Sequence, residues 1–195
     1  QPFLFFISVA YSLSKYHSSL TPINARCLKE SEDLAMNPCD YLDEVRALAK
    51  QAGEKILEIY NTEFSVQEKD DKSPLTAADM ASHKTIVAGL QSLSPDIPVL
   101  SEESAKIPYQ QRAGWHTYWL IDPLDGTKEF IKRNGEFTVN IALIHDGVPV
   151  LGVVHVPVTG VCYAACEGKG AIKATPGEGE KAIRVRALSD GPVAV

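Results

Sequence analysis

Three groups of acidic residues stand where chain elements are expected to end. Glu102-Glu103 follows the short apolar stretch Val99-Leu100, Asp122 closes Trp119-Leu120-Ile121, and Asp125 comes three residues later. Carboxylates converging from strand ends supply the hard oxygen ligands that Mg²⁺ requires. In the segment Asp122-Pro123-Leu124-Asp125-Gly126-Thr127, Pro123 restricts the backbone and Gly126 lets it approach a ligand closely. The residues after Gly126 can open a helix whose free N–H groups face a phosphate. Asp122 and Asp125, on either side of a rigid turn, can each give an oxygen to a metal pair, with the Leu124 carbonyl pointing between them. Two cations about 3.5–4 Å apart are the usual device for stabilising the attacking and leaving oxygens of phosphoryl transfer. Asp-Pro and Asp-Gly are also common turn pieces. The Gly-Thr that follows and the second acidic pair after another strand weigh toward chemistry.

The other polar candidates are less specific. Thr76-Ala77-Ala78-Asp79 has the spacing of a capping box, with Asp in place of the usual Glu, so the bare pattern reads as helix capping. Glu103 is either a second ligand or a solvated neighbour of Glu102. Lys132-Arg133 reads as a solvated basic face or as a contact to a second phosphate. His17, His83, His116, His145 and His155 show neither HxxxH nor HExxH spacing, so surface or core places are expected. Trp115 and Trp119 are read as packing beneath the site. Cys27, Cys39, Cys162 and Cys166 form no CxxC pair, which argues against structural zinc. Cys162 and Cys166 would lie roughly 13 Å apart in one strand at about 3.3 Å per residue, too far to bond to each other. All four are expected as thiols in a reducing compartment.

The elements that must position these residues follow from periodicity. Leu42, Val45, Leu48, Ala49, Ala52, Ile56 and Ile59 recur at helical spacing and predict an amphipathic helix from Asp40 to about Tyr60. A polar loop from Glu68 to Pro74 follows. Thr76 then opens a second helix, which Ser94-Pro95 stops after Leu93. Short strands are expected at Pro98–Leu100 and Tyr118–Ile121, separated by a polar loop that holds Lys106 to Gly114. Phe137–Ile144 and Val148–Val156 flank Asp146-Gly147, the dipeptide most typical of a tight hairpin. Val161–Ala165 continues the meander, and Ala182–Val185 adds a further strand. Helices first and antiparallel strands after indicate an α+β fold rather than βαβ alternation.

The 195 residues suffice for one good core, and 45% hydrophobic with 23% charged residues is ordinary for a globular chain. A net charge of −6 speaks against a nucleic-acid partner, because no excess of cations is available to displace counterions from a phosphate backbone. Divalent cations can still reverse the local sign for a phosphorylated small molecule. Residues 1–35 do not resemble the rest. The apolar run Phe3–Leu13 is shorter than the ~20 residues a bilayer span needs, and no basic residue precedes it. These residues are expected to be a leader outside the fold, with Met36 as the natural start and 36–195 as one phosphatase domain.

Leu120–Ile144 (LIDPLDGTKEFIKRNGEFTVNIALI), Lys69–Asp79 (KDDKSPLTAAD) and Pro98–Glu103 (PVLSEE) together resemble the CysQ-type 3'(2'),5'-bisphosphate nucleotidases of the inositol monophosphatase superfamily. The likeness runs from about Asp40 to Val195. It implies a layered α/β sandwich of the inositol monophosphatase/fructose-1,6-bisphosphatase type, with N-terminal helices packed on a largely antiparallel sheet. It further implies two or three Mg²⁺ ions, replaceable by Mn²⁺, held by Glu102, Asp122, Asp125 and the Leu124 carbonyl. Asp79, Thr127 and Glu102 are the implied catalytic residues, Thr127 and Asp79 orienting and deprotonating the attacking water. Glu102, Leu124, Asp125, Gly126, Thr127 and Lys128 are implied to contact the substrate. Lys128-Glu129-Phe130 stands where inositol monophosphatases typically have Thr-Asn-Phe after Gly-Thr, and Lys128 so favours a nucleotide bisphosphate. The implied reaction is hydrolysis of adenosine 3',5'-bisphosphate to AMP and phosphate, inhibited by lithium. The alternatives are an inositol or sugar phosphate phosphatase of the same fold and a metal-binding fragment without turnover. A cytoplasmic setting with at most weak association at the inner membrane surface completes the expectation. Relatives continue into a C-terminal α/β segment whose Trp-Asp element completes the second metal site. No Trp-Asp occurs here, so that segment is expected to be missing and the second metal to be held poorly.

Overall fold

The structure, a computed structural model, describes residues 37–62, 74–103 and 107–185. The expectations for residues 1–35, Met36, Cys27, His17 and the Glu68–Ser73 loop lie outside the described residues.

A 3-10 turn at Pro38–Tyr41, capped by the Asn37 side chain accepting from the Cys39 N–H at 3.1 Å, leads into helix α1, Leu42–Tyr60. The predicted apolar stripe is the buried one. Val45, Leu48, Ala49, Ala52, Ile56 and Tyr60 face the core, as a 3.6-residue period requires of a helix lying on a sheet. Helix α2, Pro74–Leu93, packs against α1 and ends where predicted. Ser94 Oγ donates to the Leu90 carbonyl at 3.2 Å and accepts the buried Trp119 Nε1–H at 2.8 Å, so Trp119 is a core residue that ties the helix end to the sheet.

Seven strands form one sheet in chain order: β1 (Val99–Ser101), β2 (Thr117–Asp125), β3 (Thr138–His145), β4 (Val148–Val156), β5 (Val161–Cys166), β6 (Gly170–Thr175) and β7 (Gly179–Ile183). β1 and β2 are parallel and every later pair is antiparallel. One-turn helix α3 (Tyr109–Arg112) lies inside the segment expected to be loop, and α4 (Thr127–Lys132) follows β2. The predicted hairpin closes through Asp146 and Gly147 at φ 47° and 76°, the left-handed pair that a two-residue turn between twisted strands needs. β6 was not expected, and the strand expected at Ala182–Val185 begins earlier, at Gly179. The helices bury one face of the sheet through Trp119, Ile121, Val139, Ile141, Leu143, Leu151 and Val153. Tyr60, Phe130 and Phe137 meet in tilted and edge-on contacts with centroids 5.0–5.4 Å apart and anchor α4. Among the described residues, no helix is long and apolar enough to cross a membrane.

One expectation is overturned. Cys39 and Cys166 form a disulfide, with Cα atoms 5.6 Å apart across 127 residues of chain. Sequence spacing cannot reveal a pair that only the sheet brings together, and the argument from free thiols to a reducing compartment falls with it. Cys162 remains a thiol.

Candidate active site

Asp79 lies in the second turn of α2, between Ala78 and Ser82, which are fully buried. Because the helix starts at Pro74, Thr76 falls inside it and cannot be its N-cap. The capping-box reading of Asp79 is therefore wrong, and its carboxyl is free for other work. One of its oxygens, Oδ1, is buried with no hydrogen-bond partner among the described residues. Burial, then Glu103 within hydrogen-bonding reach, then Asp122 and Glu102, push its pKa up to about 8.

Asp122 does not terminate a strand as predicted. β2 runs on to Asp125, and Asp122 faces Asn140 while Asp125 faces Thr138. Three steps on β2 thus oppose two on β3, and the surplus is absorbed by a bulge at Pro123-Leu124. Proline is tolerated there because a bulge needs no ladder N–H from it. Asp122 is buried, and that burial, followed by Glu102 and Asp125, raises its pKa to about 8 against the opposing pull of the Leu124 N–H.

Glu102 and Glu103 form the turn after β1, which parallel pairing sets beside the end of β2. Glu102 N–H donates to the Ile121 carbonyl at 3.3 Å. The two acids divide the work: Glu102 turns toward Asp122, and the half-buried Glu103 toward Asp79. Glu103 is therefore a member of the cluster, not a solvated bystander. Glu102 and Asp122 stand within hydrogen-bonding reach of each other.

Gly126 takes φ 101° and ψ 43° and caps α4. A Cβ here would stand 3.0 Å from the Glu136 carbonyl and 3.1 Å from Phe137 Cα, so this tight turn admits only glycine. Thr127 and Lys128 follow, both exposed, on the first turn of the helix that Phe130 anchors. Lys132 is exposed, whereas Arg133 folds away: its guanidinium donates to the Thr62 carbonyl and lies over the Tyr60 ring at 5.5 Å. That makes Arg133 a brace for the end of α1.

Several residues at the site were not singled out from the sequence. Ser82 Oγ donates to the Pro123 carbonyl at 2.8 Å within the bulge. His83 Nδ1 and Ser101 Oγ are 2.8 Å apart, and Ser101 Oγ accepts the Glu103 N–H at 3.3 Å. Asn140 Nδ2 donates to Asp125 Oδ2 at 3.3 Å. A usable signal existed for two of them, since Asp79, Ser82 and His83 stand at i, i+3 and i+4 and share one face of a helix.

Oxygen donors from three chain segments thus meet, and burial with acid–acid repulsion raises the pKa of Asp79 and Asp122. Such a set suits a hard divalent cation, which would replace acid–acid repulsion by attraction. Among the described residues no three His, Cys, Asp or Glu side chains already enclose a common ion position. The fit therefore rests on the donor chemistry and the orphaned Asp79 oxygen.

Residues 40–191 match the model of the inositol monophosphatase family. The 3'(2'),5'-bisphosphate nucleotidase CysQ of Shigella flexneri is 58% identical over 130 residues, 66% of this chain and 52% of the relative. Among solved structures, CysQ from Bacteroides thetaiotaomicron superposes with a TM-score of 0.62 at 50% identity, over 77% of this chain and 52% of that one. An inositol monophosphatase from Zymomonas mobilis reaches 0.62 at 25% identity, over 77% and 54%. The chain spans about half the length of the curated relatives it matches.

Proposed function

The chain belongs to the inositol monophosphatase family and is of the CysQ type, and from that premise we propose that it carries the active site of a Mg²⁺-dependent phosphomonoesterase. The substrate we assign is adenosine 3',5'-bisphosphate, cleaved at the 3'-phosphate to AMP and phosphate. The observation that carries this reading is the convergence of Asp79, Glu102, Glu103, Asp122 and Asp125, where burial and then mutual repulsion raise Asp79 and Asp122 to about 8.

Glu102, Asp122, Asp125 and the Leu124 carbonyl would hold Mg²⁺, which Mn²⁺ can replace. When bound, the cations supply positive charge to the phosphoryl and departing ribose oxygens. The remaining work falls to the chain. Asp79 accepts a proton from water that the Thr127 hydroxyl orients, and the Gly126 and Thr127 N–H groups hold the phosphate in line. Lys128 meets the second phosphate of the nucleotide.

The fold likeness to an inositol monophosphatase favours a second reading, an inositol phosphate phosphatase. Phosphate release from adenosine 3',5'-bisphosphate and from inositol 1-phosphate, measured in Mg²⁺, separates the two. The nucleotide should be preferred, and Lys128→Thr should shrink that preference. Equal or reversed preference in the parent would defeat the nucleotide assignment while leaving the phosphatase intact.

A further inference from the structure

Helix α2 touches both acid-bearing segments through adjacent residues. Ser82, fully buried, bonds the carbonyl of Pro123, the residue that the bulge lifts out of the β2–β3 ladder. His83 bonds Ser101, which in turn accepts the N–H of Glu103. Ser101 is itself buried, and its one hydroxyl proton is available for His83 Nδ1 while its lone pairs take the Glu103 N–H. One helix therefore grips the Asp122–Asp125 bulge with one side chain and the Glu102-Glu103 turn with the next. Asp79 sits one turn before both.

We propose that Ser82 and His83 are positioning residues that fix the spacing between these two segments, and thereby set the affinity of the site for divalent cations. The inference rests on the reading of the acids as cation ligands. Its physical basis is that the β1–β2 ladder ends at the Ser101–Ile121 pair, just before the two acid-bearing segments. Past it, Glu102 N–H donates to the Ile121 carbonyl and the Glu102 side chain reaches Asp122. The bulge likewise has no ladder partner for Pro123 or Leu124. Hydrogen bonds behind metal ligands hold them in the geometry that binding needs, and losing one typically weakens metal affinity by about 10–100-fold.

The test is Mn²⁺ titration of the 195-residue chain, followed by the electron paramagnetic resonance of free Mn²⁺, with metal-free melting recorded alongside. Ser82→Ala and His83→Ala should each bind Mn²⁺ about tenfold more weakly than the parent, with little change in metal-free melting temperature. His83→Asn, whose amide places a polar atom near the position of Nδ1, should recover most of the lost affinity. A merely structural role predicts the opposite pattern, lowered melting at unchanged affinity. Unchanged Mn²⁺ affinity in Ser82→Ala and His83→Ala overturns the proposal and spares the reading of the acids. A parent that binds no Mn²⁺ overturns both. Equal weakening in His83→Asn and His83→Ala removes the hydrogen-bond basis claimed for His83. Should Ser82→Ala fail to fold, the two His83 variants decide alone.

Discussion

The β2–β3 ribbon carries carboxylates at both ends, and their surroundings differ in sign. Where Thr117 pairs with His145, Asp146 leaves the turn between two imidazoles, with His116 Nδ1 at 2.7 Å and His145 Nε2 at 3.6 Å. The bond from His116, then the charge of both histidines, holds Asp146 below its ordinary range at an exposed position. At the other end Asp122 is buried beside Glu102 and Asp125 and lifted to about 8. One ribbon thus supports an acid satisfied by its neighbours and an acid opposed by them. Opposition that a fold maintains against its own stability marks the end that does chemistry.

The comparison breaks most visibly on substitution at the strained end. Asp122→Asn should cut phosphate release to below about one-hundredth, beyond what loss of a single outer hydrogen bond does. In the metal-free chain above about pH 8, where Asp122 is ionised, the same change should raise the melting temperature, because a buried repelled charge is gone. Thr127→Ala, at an exposed position, should lower kcat by about a hundredfold with a smaller change in KM. Parent-like kinetics in both variants would remove the roles assigned here.

A smaller effect tests the electrostatics without substitution. Asp79 and Asp122 rise from 3.8 to about 8 on folding, so the metal-free folded chain binds more protons than the unfolded chain between those values. Stability must fall as pH rises through that window and level off above it. Calorimetric melting at about pH 5 and about pH 8 should show the drop, and Mg²⁺ should diminish it by binding the ionised acids of the folded state. A flat metal-free profile would contradict the raised values.

The satisfied end should respond least. Asp146→Asn keeps a residue that tolerates φ 47° and a side chain able to bond His116. Turnover and melting should match the parent, and a large loss of activity would undo the division between the two ends.

How much of this was legible in the sequence depended on range. The α1 stripe and the Asp146-Gly147 hairpin were readable because their signals are local and periodic. The start of α2 was misplaced because Thr76 imitates a cap two residues inside the helix. Asp122 to Asp125 looked like a turn because proline and glycine dominate it, whereas pairing with β3 draws it into the strand as a bulge. β6 escaped because Gly170-Ala-Ile-Lys-Ala-Thr has weak alternation and is half-buried along its length. At the site, the acids announced themselves by type, but Ser82, Ser101 and Asn140 act through contacts made only after folding. The Cys39–Cys166 bond is the extreme case.

That bond also has a topological meaning. Asp79, Glu102, Glu103, Asp122, Asp125 and Thr127 all fall between its two cysteines, so every acid of the cluster belongs to a single covalent ring. A protease that cuts the ring once, anywhere, opens it without releasing a piece. The fragments stay tethered, and the severed halves of the cluster remain one molecule until a reductant parts them.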